Sequence, residues 1–178
     1  MSGIIDVILE RRSIRNFKQE ELPKEVLLKL VEAARWAPSG SNLQQWYFII
    51  VNNKDILEQI SSFSPGLLGQ PPSIVVFCSD KKTAFEKAGE LGKGVLSLMD
   101  IAMAAENLML QATKEGLGTC AVRSFNARVV KKILALPEHI SPELIVSIGY
   151  AAKEVKVPMK KMLKEICFFN KWGGELNE

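Results

Sequence analysis

A single histidine, His139, and three cysteines are nearly all that this 178-residue chain offers of the side chains that most often carry catalysis or hold metals. His139 sits in a Pro137-Glu138-His139 turn, so a histidine-dependent triad or a multi-histidine metal site has little to build on. Cys78, Cys120 and Cys167 are odd in number, widely spaced and without a CxxC pair. That spacing argues against a disulfide framework or zinc site and for a reducing compartment, the cytoplasm. Cys120 has no histidine near it in sequence and reads as a small buried side chain. No GxSxG or HExxH occurs, and the glycines at 89, 92 and 94 match neither GxGxxG nor a Walker loop, so they read as a loop. A strong excess of one charge is lacking too. With 23 basic against 20 acidic residues, neither nucleic acid nor an anionic membrane is expected as partner. No run reaches the roughly 18 apolar residues of a membrane span; the most apolar stretch, 96–110, is broken by Asp100, Glu106 and Asn107. The opening MSGIIDVILERRS has no basic region followed by a long apolar one, so no signal peptide is expected. Such scarcity of catalytic side chains is what a chain shows when a cofactor supplies the chemistry.

What is present suits one folded domain. The length is that of a single domain, and 47% hydrophobic residues is ample for a core. Ser2 is placed to cap a helix over 4–11. Pro23 opens a clearer helix in which Val26, Leu27, Leu30, Val31 and Ala34 recur at helical spacing, and which must stop before Pro38. Strands are expected at 47–51, 74–78, 119–122 and 144–148, with short helices at 55–60 after Asn53 and at 129–134 after the capping residue Asn126. Residues 61–73 read as irregular, and a helix is expected over 160–166. The longest helix, 96–115, is apolar almost all round, which places it in a core or a subunit interface. Helices and strands interleave without strict βαβ order, which predicts an α+β sheet packed between helices.

Four groups of residues carry possible chemistry. Arg11-Arg12-Ser13-Ile14-Arg15 offers guanidinium forks and a hydroxyl suited to phosphate; if it continues the first helix, Arg11 and Arg15 share one face. The same cluster also suits an ordinary solvated surface. Pro38, Ser39, Gly40, Ser41 and Asn42, followed by Gln44 and Trp46, form a polar loop whose amides could bond a heterocycle's edge, or simply a turn that Trp46 anchors. Gly116-Leu117-Gly118-Thr119-Cys120 could bring backbone N–H groups close to a planar ligand, or be only a helix C-cap. Lys160 and Lys161 make a second cationic patch in a tail that would otherwise read as a solvated face.

In this order, RRSIRNF, AARWAPSGSNLQQWYFIIV, the long apolar helix running into EGLGTCAVRSF, and VSIGYA, the chain resembles the nitroreductase family along nearly its whole length. The resemblance implies a single domain, 1–178, with a mostly antiparallel sheet flanked by helices. It implies an intertwined homodimer, with 155–178 as a C-terminal arm and FMN at the interface. Arg11, Arg12, Ser13 and Arg15 would contact the FMN phosphate, ribityl chain and pyrimidine edge. Pro38, Ser39, Gly40 and Asn42 would reach the same flavin from the partner. Backbone of Ala121, Val122, Arg123 and Ser124 would face the ring near N5, and Lys160 and Lys161 would complete the phosphate site. No side chain is expected to be catalytic, since the flavin carries the reaction. NADH or NADPH would reduce it and a small acceptor (a nitroaromatic, quinone or enone) would reoxidise it in a ping-pong cycle that needs no Rossmann fingerprint. A specialised dehalogenase or flavin-fragmenting enzyme of this fold, or a flavin-binding module without turnover, is the alternative. Gln45 departs from a proline frequent in the family, and Arg123-Ser124 from small glycine-containing pairs. Arg123 would stabilise the reduced ring, bind an acidic substrate or point to solvent. Residues 61–96 leave little room for the helical lid of many relatives, which predicts an open flavin face and weak discrimination.

Overall fold

Every residue of the strand Ser73–Asp80 is buried, and a continuous apolar run of this kind is stable only inside a sheet covered on both faces. It is β2 of four strands, with β1 Trp46–Val51, β3 Gly118–Val122 and β4 Ile140–Gly149. Their order is β1-β2-β4-β3, and all neighbours are antiparallel. The computed structural model describes residues 3–175. Around the sheet lie α1 Ile4–Glu10, α2 Lys24–Arg35, α3 Lys54–Ser62, α4 Lys81–Leu91, α5 Ser97–Lys114, α6 Ala127–Ile133 and α7 Leu163–Ile166. This is the α+β arrangement expected from the interleaved elements.

Side chains alternate across the strands, and the alternation builds two cores. Val75, Phe77, Val146 and Ile148 pack with Leu27, Leu30 and Ala34 of α2 and Ala104 and Leu108 of α5. Ile74, Val76, Cys78 and Ile145 pack on the opposite face with Ile60 of α3 and Val130 of α6. Each fully buried Leu, Ile or Phe contributes about 1.5–3 kcal/mol. Side-chain caps start three helices: Asn53 accepts from Ile56 N at 3.1 Å, Asp80 from Thr83 N at 2.9 Å and Asn126 from Val129 N at 3.2 Å. Gly116, at φ +74°, ends α5 in a turn whose Leu117 N donates to Ala112 O at 2.8 Å.

Some expectations need correction. The glycines at 89, 92 and 94 do not form a loop. Helix α4 kinks at Ala88 and Gly89 and runs through a π-helical turn, Gly92–Leu96, into α5. A helix therefore does fit between residues 61 and 96. The joined run Lys81–Lys114 also contains a window apolar enough, by length and composition alone, to cross a membrane, but 44% of that window is buried inside the fold. That is the setting of a helix packed on a sheet. Residues 11–15 do not continue α1, which stops at Glu10, so Arg11 and Arg15 share no helical face. Strand β4 begins earlier than its apolar run and includes Pro142. The register jump between Phe77 and Cys78 makes a bulge at Glu143, beside that proline, which itself stays opposite Cys78. The helix expected over 160–166 shrinks to α7, leaving Lys160 and Lys161 outside it. The proposed cap Ser2 lies outside the described residues; Gly3 starts α1, its N–H bonded to Asp6 Oδ2 at 2.7 Å.

Candidate functional site

Beyond α1 the chain extends along the free edge of β3. Ser13 bridges to Thr119, and Ile14 N donates to Thr119 O at 2.8 Å. Ile14 is buried against Gly118, where a Cβ would stand 2.5 Å from Ile14 Cγ1. An extended segment alternates its side chains, so Ser13 and Arg15 turn away from that contact. Arg12 lies on the Ile14 side: it lines a cleft of about 220 Å³ with Ile14 and Gly118, and its guanidinium curls back to Leu9 O at 2.5 Å and Arg11 O at 2.7 Å. Arg11 is held to α5 by Glu106 at 3.3 Å. Arg15 is exposed and forms no ion pair among the described residues.

The end of β3 carries the next group. Val122 is buried, while Ala121, Arg123 and Ser124 are exposed. The loop after α3 laces this end to residues 11–15. Gly66 N donates to Ser124 O at 3.2 Å, and Gly69 lies so close that a Cβ there would stand 1.9 Å from Arg15 O. Arg15 and Ser124, far apart in sequence, are thus brought beside one loop. Arg123 Nη2 lies 4.0 Å from the buried carboxylate of Glu143. Burial and the same Glu143 push the Cys78 thiol up to about 12, so Cys78 is inert packing rather than a nucleophile.

Residues 38–42 sit elsewhere. The buried carboxylate of Asp100 on α5 accepts from Gly40 N at 3.1 Å and from Gln45 Nε2 at 2.7 Å. Ser39 Oγ accepts from Gln44 N at 3.1 Å. These bonds hold Ser41, Asn42 and Gln44 at φ of 51°, 54° and 51°, a left-handed conformation that costs a side chain-bearing residue about 1–2 kcal/mol. Such strain persists only where the surroundings fix it, and it collects at binding sites. Asn42 and Pro38 are left exposed. Asp100 and Glu106 stand on α5 six residues apart, which on an α-helix is about 9 Å along the axis and about 240° around it. Within one chain, therefore, the 38–42 loop and the 11–15 segment lie on different faces of α5. Lys160 and Lys161 are not brought to either. The chain leaves the body after Ala152 N bonds Asn16 O at 3.0 Å, and Met159 beside them is 100% exposed.

Sequence reasoning missed Asp100, Glu106 and Glu143 as organisers. Asp100 and Glu106 showed only as interruptions of an apolar run, and Glu143 preceded a strand.

The donor set on the outer side of residues 11–15, a hydroxyl and an exposed guanidinium beside a strand end and a glycine loop, fits a phosphorylated planar cofactor. Known proteins agree with that chemistry. The chain is 28% identical over 188 residues to an FMN reductase (NADPH) of Bacillus subtilis, with 93% of this chain and 74% of the relative covered. It is 29% identical over 190 residues to an FMN reductase [NAD(P)H] of the same organism, covering 96% and 76%. An FMN-dependent nitroreductase structure from Clostridium difficile superposes with a TM-score of 0.80 at 31% identity, covering 94% of this chain and 99% of that one. A sequence profile described as the Nitroreductase family matches residues 8–66 and 61–150. On its fold, the order of its segments and these matches, the chain belongs to the nitroreductase family.

Proposed function

We propose that the protein is an FMN-dependent NAD(P)H oxidoreductase that works as a cytoplasmic homodimer on small electron-poor acceptors such as nitroaromatics and quinones. The single observation that carries this reading is the docking of residues 11–15 onto β3, with Ser13 bridged to Thr119 and the exposed Arg15 joined through the Gly66–Gly69 loop to the strand end at Ser124. When bound, FMN supplies the redox chemistry, taking electrons from a nicotinamide and passing them to the acceptor. Ser13 and Arg15 hold the phosphate and ribityl end, with Arg11 steadied by Glu106 for the same task. Backbone at 121–124 borders the ring. Arg12, turned to the other side, contributes through its main chain.

The second half of the site comes from the partner. The 38–42 loop is rigid, strained and exposed, and it lies on a different face of α5 from its own residues 11–15. Two chains packed through α5 would bring one chain's loop to the other's cation segment. The exposed faces support that packing. Leu98, Met99 and Met103 of α5 and Ile4, Ile5 and Ile8 of α1 are exposed, and apolar surface of this extent marks an interface. Residues 155–178 act as an arm of the single domain 1–178. They expose Val157, Met159, Leu163, Ile166 and Trp172, and in the assembly they carry Lys160 and Lys161 to the phosphate. Free Cys78, Cys120 and Cys167 suit a reducing compartment.

Donor and acceptor take turns at one place, so steady-state kinetics are of the ping-pong form. The test is optical. Protein purified with its flavin is yellow and bleaches under NADH or NADPH without oxygen; yellow protein that no nicotinamide bleaches is a binding module without turnover.

A further inference from the structure

Arg123 has an environment built around it that the binding of FMN does not require. Glu143 sits in the bulge of β4, where the register passes from Phe77↔Leu144 to Cys78↔Pro142 and leaves it without a cross-strand partner. A bulge re-aims a side chain. Here it sends a carboxylate toward the end of β2, where Oε1 binds Lys81 Nζ at 2.7 Å and accepts from Ser79 Oγ at 2.9 Å. The other oxygen faces Arg123 Nη2 at 4.0 Å, beyond hydrogen-bond distance. Glu143 is therefore neutralised by Lys81, and it orients Arg123 without consuming its donors. The Phe125 ring flanks the guanidinium at 5.6 Å, and the Arg123 side chain is 63% exposed. The result is a surplus, oriented cation whose planar fork is open to solvent at the strand end.

Resting on the reading that 121–124 borders the flavin, the geometry points to Arg123 as a specificity-determining residue for acceptors that carry a carboxylate. A planar fork matches a carboxylate bidentately, and residues bordering the ring are those an acceptor must pass. The carboxylate takes no part in the electron balance. For a nitrobenzoate, NAD(P)H and one proton deliver two electrons and two protons, the nitro group becomes nitroso, one N–O bond breaks and water leaves. Arg123 holds the far end of the acceptor while this happens.

The test compares wild type with Arg123→Gln and Arg123→Lys, all loaded with FMN. Calorimetric titration with the redox-inert pair benzoate and benzamide gives binding without turnover, and 4-nitrobenzoate against 4-nitrobenzamide gives kcat/KM. The expected result is that Arg123→Gln lowers the ratio of anionic to neutral ligand about tenfold in both measurements, the scale of one charge-assisted contact. Arg123→Lys should keep part of the preference, having charge without the fork. An unchanged ratio in Arg123→Gln overturns the proposal. So does a fall in the NADPH-to-NADH ratio with the acceptor ratio unmoved, since the anion served would then be the donor's phosphate. Colourless wild type that cannot be loaded with FMN overturns the functional reading beneath it, and this shows before any variant is made.

Discussion

The Asp100 carboxylate is buried, and it is tolerated because two donors converge there, Gly40 N and Gln45 Nε2. Removing the carboxylate strands both donors, and an unsatisfied buried donor costs about 1–3 kcal/mol. Asp100→Ala should therefore lower the urea midpoint and, by releasing the strained Ser41 and Asn42, loosen FMN; Asp100→Asn should recover part of each. Flavin release measured beside the melt checks this, and a destabilised variant with undiminished FMN affinity would remove the loop from the site. Nothing in the sequence marks the pairing, because Gly40 and Asp100 lie 60 positions apart, and local periodicity carries no information on contacts at that range. Asp80 is a local case, a cap three residues from the Thr83 amide that it accepts from. Burial raises its pKa, but hydrogen bonds from the Thr83 amide and hydroxyl outweigh this and leave it lowered. A lowered carboxylate stabilises the fold above its unfolded value of about 3.9 and loses that contribution as pH falls through the folded value. Asp80→Ala should cost about 1 kcal/mol at pH 7 and progressively less as the pH falls below about 4, by urea melts across that range.

At the scale of elements, segments with one dominant signal were legible. α2 and the caps Asn53 and Asn126 could be read directly, as could the strands with unbroken apolar runs. Glycine and proline do not always punctuate the chain. Gly89, at φ +59° with open space where a Cβ would sit, kinks a helix instead of ending it, and Pro142 lies inside a strand, opposite Cys78 and next to the bulge at Glu143. The connection between residues 11–15 and the 64–72 loop depends on a glycine in the same way. Gly69 combines φ +74° with the 1.9 Å approach to Arg15 O, so Gly69→Ala must push the two segments apart. Strain and overpacking of this kind cost about 3 kcal/mol together. The expected outcome is a lower melting temperature together with weaker FMN retention; an unaffected flavin site would detach Arg15 from it.

For the molecule as a whole, the sequence carried the family through the order of its segments, while the assembly is argued from what one chain leaves uncovered. Of α5, the face with Ala104 and Leu108 is buried and the face with Leu98 and Met99 is not, so the all-round apolar pattern is half explained by the core. Deleting residues 155–178 should shift sedimentation from a particle of two 19.8 kDa chains toward one chain and reduce FMN retention. An unchanged mass would confine the arm to its own subunit. The most direct test of the shared site is complementation between two defective chains, one carrying Ser13→Ala with Arg15→Ala, the other Asn42→Ala with Ser39→Ala. Each alone should retain little FMN. A purified heterodimer of the two should hold one FMN per dimer, because one of its two sites draws both halves from intact segments. A heterodimer as empty as its parents would show that both halves of each site come from the same chain, and the account would fail.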